Sequence, residues 1–207
     1  MKKILIIIGS CLVACGIIVS VVLICKGRKN NDDVETRIAQ IVKIEGTVSV
    51  NEKAAYKNEK LAANDIITSS KNSVCYIQID NDKVVKILES SIVSIKELKN
   101  NTLAIHLEEG SLYFNVENKL ASDESMYFET ENTTMSIRGT TGYILTLNDE
   151  VEVIIPEGTV TGTIDGKSFD ATSGVKFVID EENKIVNNIS IGLNDLPEVI
   201  KEEIVKN

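Results

Sequence analysis

The 207-residue sequence has no tryptophan, two prolines and a single histidine, and only 4% of its residues are aromatic. One histidine cannot build a zinc or iron site, and strand alternation turns His106, between Ile105 and Leu107, toward the polar face. No serine-hydrolase elbow, metalloprotease helix, phosphate loop or dinucleotide fingerprint is present. We therefore predict that the protein is not an enzyme and holds neither a metal nor a cofactor.

Cysteine is sparse wherever the chain could fold in water. Three of the four cysteines lie in the apolar amino-terminal stretch: Cys11, Cys15 and Cys25. Cys75 is left alone, so no disulfide can form within the rest of the chain. In "SVCYIQID", Cys75 shares one strand face with Ile77 and Ile79, which predicts a small buried hydrophobe rather than a reactive thiol.

Basic residues are also in deficit. The chain has 22 Lys and Arg against 31 Asp and Glu, a formal net charge of −9. An acidic surface repels nucleic acid and anionic lipid headgroups. We therefore predict no nucleic-acid partner. The Asp80-Asn81-Asp82 run lacks the glycine and distal glutamate of a calcium loop, and is interpreted as an ordinary acidic turn.

Residues 4–25 carry no charge, and a helix of 22 residues spans the hydrocarbon core of a bilayer. We predict an amino-terminal membrane anchor helix over residues 1–25, with the amino terminus cytoplasmic and the bulk of the chain extracytoplasmic. As an alternative, residues 12–15 resemble a lipobox, which would make the protein lipid-anchored through Cys15. More apolar residues follow Cys15, which favours the uncleaved anchor, and both alternatives tether the protein to a membrane.

Residues 26–37 form a charged linker, and a different pattern occupies residues 38–192. Runs of five to eight residues alternate apolar and polar there, with turn dipeptides such as Asn-Asp and Glu-Gly about every ten residues. This predicts an all-β domain. The low aromatic content favours a β-solenoid-like or stacked β-sheet domain, and a β-sandwich is the alternative.

One short sequence pattern, Glu-Gly followed by Thr or Ser, occurs three times: at Glu45-Gly46-Thr47, Glu109-Gly110-Ser111 and Glu157-Gly158-Thr159. Each copy opens a strand after a glycine, which suggests that the stack reuses one kind of corner. A generic Glu-Gly turn is the alternative.

Residues 193–207 predict a short carboxy-terminal amphipathic helix. Asp195 can cap it, Pro197 lies in its first turn, and an apolar stripe begins at Leu196. We expect this helix to cover the open end of the β stack, with partner binding as the alternative.

A block in "MSIRGTTGYIL" interrupts the alternation with one cation, two glycines and two hydroxyls. Gly139 and Gly142 permit backbone angles that a side chain forbids, and the Thr140 hydroxyl can bond nearby backbone. Arg138 can reach carbonyl oxygens or a carboxylate with its planar fork. We predict a structural corner at Arg138, Gly139, Thr140 and Gly142, stapled by the guanidinium, and a contact role for Arg138 is the alternative.

The stretch "FETENTTMSIRGTTGYILTL" resembles the signature of the FecR domain family. The matching residues are Phe128, Thr130, Arg138, Gly139 and Thr140. Further strands before and after it keep the family's order, so the resemblance covers roughly residues 40–179. Asn64 and Asp82 stand where the family tends to have glycine.

The resemblance implies a membrane-tethered, extracytoplasmic binding or sensing module that engages another envelope protein in signal transduction. Founding members of the family resemble regulators with a cytoplasmic anti-sigma segment before the membrane helix. Only three residues precede the apolar stretch here, so we expect no direct contact with a sigma factor. A structural or carbohydrate-contacting module of the cell envelope is the alternative function.

Overall fold

The computed structural model describes residues 37–131, 133–148, 150–164, 166–180, 182, 184–198 and 201–202. The predicted anchor over residues 1–25 and all but the last residue of the predicted linker lie outside this set. Within it, no helix has the length and apolar character needed to cross a membrane.

β-Strands make up most of the described residues, which confirms the prediction of an all-β fold. The strands are β1 (Ala39–Glu45), β2 (Val48–Val50), β3 (Lys53–Ala54), β4 (Lys60–Leu61), β5 (Ile66–Ser69), β6 (Val74–Ile79), β7 (Lys83–Ile87), β8 (Ser91–Lys99), β9 (Thr102–Val116), β10 (Ser125–Glu129), β11 (Thr133–Ile137), β12 (Thr141–Leu147), β13 (Glu150–Glu157), β14 (Thr159–Ile164), β15 (Lys167–Thr172), β16 (Val175–Ile179) and β17 (Ile185–Ser190). A 3-10 turn follows at Leu193–Asp195.

The strands form two ladders, which we call layer A and layer B. Layer A has the order β4-β1-β6-β7-β9-β12-β13-β16-β17, and layer B has the order β3-β2-β5-β8-β9-β10-β11-β14-β15. The long strand β9 belongs to both, because its first half pairs with β8 and β10 and its second half with β7 and β12. Buried aliphatic residues from both layers form one continuous core.

The stacked sheet agrees with the prediction, but a solenoid path is not shown. Among the described strands, β9 and β10 are the only parallel pair, and all other pairs are antiparallel. Stacked solenoid coils would instead place successive copies of a strand side by side in parallel. The chain makes hairpins within a layer and crosses between layers at corners, so its layering is closer to the β-sandwich alternative.

The parallel pairing of β9 with β10 changes the side of the stack at which the chain passes from one layer to the other. Up to β9, most changes of layer lie at one side of the stack, which we call edge 1; the exception is the short strand β4, from which the chain returns to layer B through residues 62–65 at the other side. After β10 it changes layer at the opposite side, which we call edge 2. The edge 1 corners lie near residues 46, 70–73, 88–90 and 110, and the edge 2 corners lie near residues 139, 158 and 173. After β10, the described chain therefore has corners at edge 2 and none at edge 1.

At edge 2, the connection from β9 to β10, residues 117–124, closes the first half. The Glu117 amide donates to Asp82 O at 3.1 Å in a layer A turn, and the Ser125 amide donates to Asn101 O at 2.8 Å in a layer B turn. Leu120, which belongs to this connection, is buried. Main chain therefore covers the first half of the stack at edge 2.

Buried ion pairs reinforce the same closure. Arg37 and Lys83, only 8% and 3% exposed, both contact Glu124, with Lys83 Nζ 3.3 Å from its Oε1. Arg37 Nε also lies 3.2 Å from Asp80 Oδ2, and Lys83 Nζ donates to Asp82 Oδ1 at 2.7 Å. Burial opposes ionisation of Asp82, but Lys83 and the Asn118 amide outweigh it and lower the pKa of this carboxyl. The predicted acidic turn is thus neutralised by the protein's own cations.

The three Glu-Gly corners share one geometry, as predicted. Gly46, Gly110 and Gly158 have φ angles of 74°, 88° and 97°. At edge 1, Ser73 Oγ accepts from the Thr47 amide at 2.9 Å, and Ser91 Oγ accepts from the Ser111 amide at 2.9 Å. A buried hydroxyl of one corner thus bonds the residue after the glycine of the next corner. A Cβ atom on Gly110 would collide with Ser91 Oγ.

The carboxy-terminal segment differs from its prediction. After the 3-10 turn, residues 198, 201 and 202 are helical, and the remainder of the predicted helix over 193–207 lies outside the described residues. Leu196 packs on the outer face of layer A against Tyr113, Tyr143 and Ile154. These three residues come from the interior strands β9, β12 and β13. The segment therefore covers an outward apolar patch rather than the end of the stack.

We expect Gly110→Ala to lower the free energy of unfolding by about 2–5 kcal/mol, because it adds left-handed strain and a collision with Ser91. Gly174→Ala is the matched control: Gly174 has φ +78° and nothing within 4 Å of an added Cβ, so strain alone should cost about 1–2 kcal/mol. Urea unfolding measures both. Equal losses would mean that the close approach at Gly110 contributes nothing.

Candidate functional site

The Arg-Gly-Thr block joins β11 to β12 at edge 2. Alternation along β11 directs Met135 and Ile137 into the core, and the strand ends at Ile137, directly before Arg138. Gly139 then takes φ +64°, in the left-handed region that a side chain disfavours. A Cβ atom there would also lie 3.2 Å from Lys119 Cγ, in the connection that covers edge 2. The corner therefore needs glycine both for its backbone angle and for its close neighbour.

Thr140 holds this corner to the next one. Its buried Oγ1 donates to Thr159 O at 2.8 Å and accepts from the Thr159 amide at 3.3 Å. A Cβ atom on Gly158 would lie 2.7 Å from that hydroxyl oxygen. The arrangement repeats the hydroxyl–glycine contact of edge 1 on the opposite side of the stack.

Gly142 has a different role from the one predicted. Its φ is not positive, and a Cβ atom there would collide with the ring of Phe114. The Phe114 ring packs against Phe128 across the two layers, with centroids 4.4 Å apart. Glycine at position 142 is thus required for ring space in the core rather than for a backbone angle.

Within the described residues, Arg138 does not form the predicted guanidinium staple. Arg138 is exposed and has no hydrogen bond or ion pair with any described residue. Because Ile137 points inward, period-two alternation turns Arg138 outward, away from the carbonyls of the corner. The Thr140 hydroxyl, which was predicted to bond nearby backbone, makes the side-chain hydrogen bonds of this corner.

Cys75 and His106, two further residues considered in the sequence, lie away from this corner. Cys75 is fully buried in β6, where burial raises the pKa of its thiol to about 12, and this confirms the prediction of a buried hydrophobe. His106 lies on the outer face of layer B, where partial burial and then Lys96 lower its pKa. The structure therefore brings neither residue to the Arg-Gly-Thr corner, and no metal-binding cluster occurs among the described residues.

Sequence reasoning missed a cleft at edge 1, where the second half of the stack is open. The cleft has a volume of about 320 Å³ and lies between the β10–β11 and β12–β13 hairpins. Thr130, Thr133 and Thr146 line it, together with Glu108, Glu109 and Glu131. The available signal was a hydroxyl at core-facing positions of β11 and β12 and directly after β10, where alternation alone predicts aliphatic residues.

Part of the chain is similar to a known protein family. Residues 65–161, a little under half of the chain, match the family model described as FecR protein. The matched segment runs from just before β5 into β14 and contains the Arg-Gly-Thr corner. The resemblance noted in the sequence extended over residues 40–179, so its two outer parts lie beyond the match. No curated protein matches the sequence.

Two crystal structures of a candidate anti-sigma factor from Parabacteroides distasonis ATCC 8503, at 2.50 and 1.65 Å resolution, are similar to this chain. Each has a TM-score of 0.53 and 12% sequence identity over 60% of this chain. The chain spans 59% of the length of that protein. At this identity the likeness shows a shared fold alone.

We expect Thr140→Val to lower the free energy of unfolding by about 1–3 kcal/mol, because it leaves the Thr159 amide and carbonyl without their partner. Arg138→Ala should change it by less than about 0.5 kcal/mol. Thermal and urea unfolding measure both, with the exposed Thr161→Val as control. An equal loss of unfolding free energy for Arg138→Ala and Thr140→Val would instead support the predicted structural role of the Arg138 guanidinium.

Peptide-resolved thiol labelling tests the environment of Cys75. Because the thiol is buried and its pKa is raised to about 12, we expect no modification of the folded chain at pH 8 and full modification in denaturant. Rapid labelling of Cys75 under native conditions would mean that β6 opens readily to solvent.

Proposed function

We propose, from the match of residues 65–161 to the FecR family model, that the chain is a regulatory binding module in signal transduction with no enzymatic activity of its own. In this proposal residues 4–25 anchor the protein in a membrane, or Cys15 carries a lipid. The β domain is extracytoplasmic and engages another protein of the cell envelope.

The exposed side chain of Arg138 is the observation that supports this proposal most. Thr140, Gly139 and Gly158 account for the geometry of the corner, so the arginine has no structural task among the described residues. An exposed guanidinium offers several hydrogen-bond donors in a fixed planar fork, which suits recognition of a carboxylate. The corner beneath it is rigid, which favours a defined contact.

Charge points to the same kind of partner. Lys119 lies beside Gly139, so a second basic residue neighbours this corner in a chain whose net charge is −9. We propose that an acidic group of the partner binds there. A sigma factor is not part of the proposal, because the likeness to the candidate anti-sigma factor concerns the fold alone.

A second candidate function rests on the outer face of layer B. Register places Tyr127, Ser136 and Thr161 in one row across three strands, and Thr134 lies beside Thr163 in the next row. A flat face of hydroxyls with one aromatic ring suits contact with a carbohydrate polymer. This supports a structural or carbohydrate-contacting role in the envelope.

Site-specific photocrosslinking in native membranes distinguishes the two functions. With the crosslinker at position 119, we expect an adduct with one acidic envelope protein, reduced severalfold by Arg138→Ala at unchanged melting temperature. A crosslinker at position 163 is the control for the other face. Cosedimentation with cell-wall material that is lost on Tyr127→Ala and kept on Arg138→Ala would instead support the carbohydrate function. Failure to obtain a reproducible adduct at position 119 would contradict the first proposal.

A further inference from the structure

The edge 1 cleft lies where the two layers face each other without a corner. Its layer B side is the β10–β11 hairpin, and its layer A side includes the β12–β13 hairpin. Val151 and Ile179 contribute core-facing aliphatic surface to its wall. At about 320 Å³ it matches the smaller ligand pockets of proteins.

Three hydroxyls in this cleft have no hydrogen-bond partner. Thr130 is 5% exposed and Thr133 is 2% exposed, and the Oγ1 atoms of both, like that of Thr146, are buried and unpaired in the described part of the chain. Each threonine continues an inward row that is otherwise apolar, after Phe128, before Met135 and after Ile144 respectively. Valine has the same shape and would remove the desolvation cost, so the hydroxyls destabilise the empty fold.

The charged residues that line the cleft favour a positively charged ligand. Among the described residues that line it, the carboxylates are those of Glu108, Glu109 and Glu131, and none is basic. Carboxylates accept hydrogen bonds only, and threonine hydroxyls can accept as well as donate. A group with several donors and a positive charge satisfies this set, and the aliphatic wall suits a hydrocarbon stem.

We propose that this cleft binds a primary ammonium or guanidinium group carried on an aliphatic stem. The source is either a lysine or arginine side chain of another protein or a free polyamine. The cleft and the Arg138 surface lie at opposite ends of β11, about 17 Å apart at roughly 3.3 Å per residue. The inference is therefore independent of the proposed function, and either can fail alone.

Titration of the full chain with simple probes tests the shared chemistry. With labelled threonine methyl groups, n-butylammonium should shift the NMR signals of Thr130, Thr133 and Thr146. Thr133→Val should weaken this binding about fivefold, as expected for one lost hydrogen bond. Glu131→Gln should weaken it as well, and Thr163→Val, an exposed site on the outer face of layer B, should leave it unchanged.

Two further probes separate the sources. Tighter binding of N-acetyl-lysine methylamide than of spermidine supports a protein side chain, and the reverse supports a free polyamine. Without any probe, Thr133→Val should raise the melting temperature by a few degrees, because it removes an unpaired buried hydroxyl.

Three results would overturn the proposal. The first is the absence of any methyl shift with the ammonium probes, which would mean that the cleft holds water only. The second is a larger shift with propionate than with n-butylammonium. The third is a lower melting temperature for Thr133→Val, which would mean that the hydroxyl is already paired within the fold.

Discussion

The contact between a buried hydroxyl and a glycine at the neighbouring corner is the interaction on which the two layers depend. At a corner the main chain leaves one ladder before it joins the other, so its amide and carbonyl groups lose their strand partners. Ser73, Ser91 and Thr140 supply those partners. Only glycine lets the hydroxyl approach closely enough, and therefore the glycine and the hydroxyl form one structural unit although they are far apart in sequence.

The parallel pairing of β9 with β10 determines where the functional surfaces lie. A return by hairpin after β9 would have kept the later corners at edge 1. Instead, residues 117–124 cross from layer A to layer B, and all later corners move to edge 2. That inversion places Arg138 beside the crossover and leaves edge 1 of the second half open, where the hydroxyl-lined cleft is found.

Much of the fold could be predicted because it depends on local patterns. Alternation placed Met135, Ile137 and Cys75 on inward faces, and the Glu-Gly repeats marked three corners of one kind. The parallel pair and the sharing of β9 between layers could not be predicted, because strand pairing over long separations leaves no local signal. Arg138 points outward because it follows the inward-facing Ile137, and its guanidinium donors do not override that position. The role of Gly142 could not be predicted without knowing that Phe114 faces it.

Layer A ends at β17, and this terminal strand has a consequence for solubility. Ile185 and Ile189 are exposed on it, and β16 is its only partner strand in the described part of the chain. A strand with a free side can pair with the same strand of a second molecule. Electrostatic repulsion between copies, each with a net charge of −9, opposes such association. The acidic composition thus opposes pairing of two copies through β17, and this opposition weakens as acidification neutralises the carboxylates.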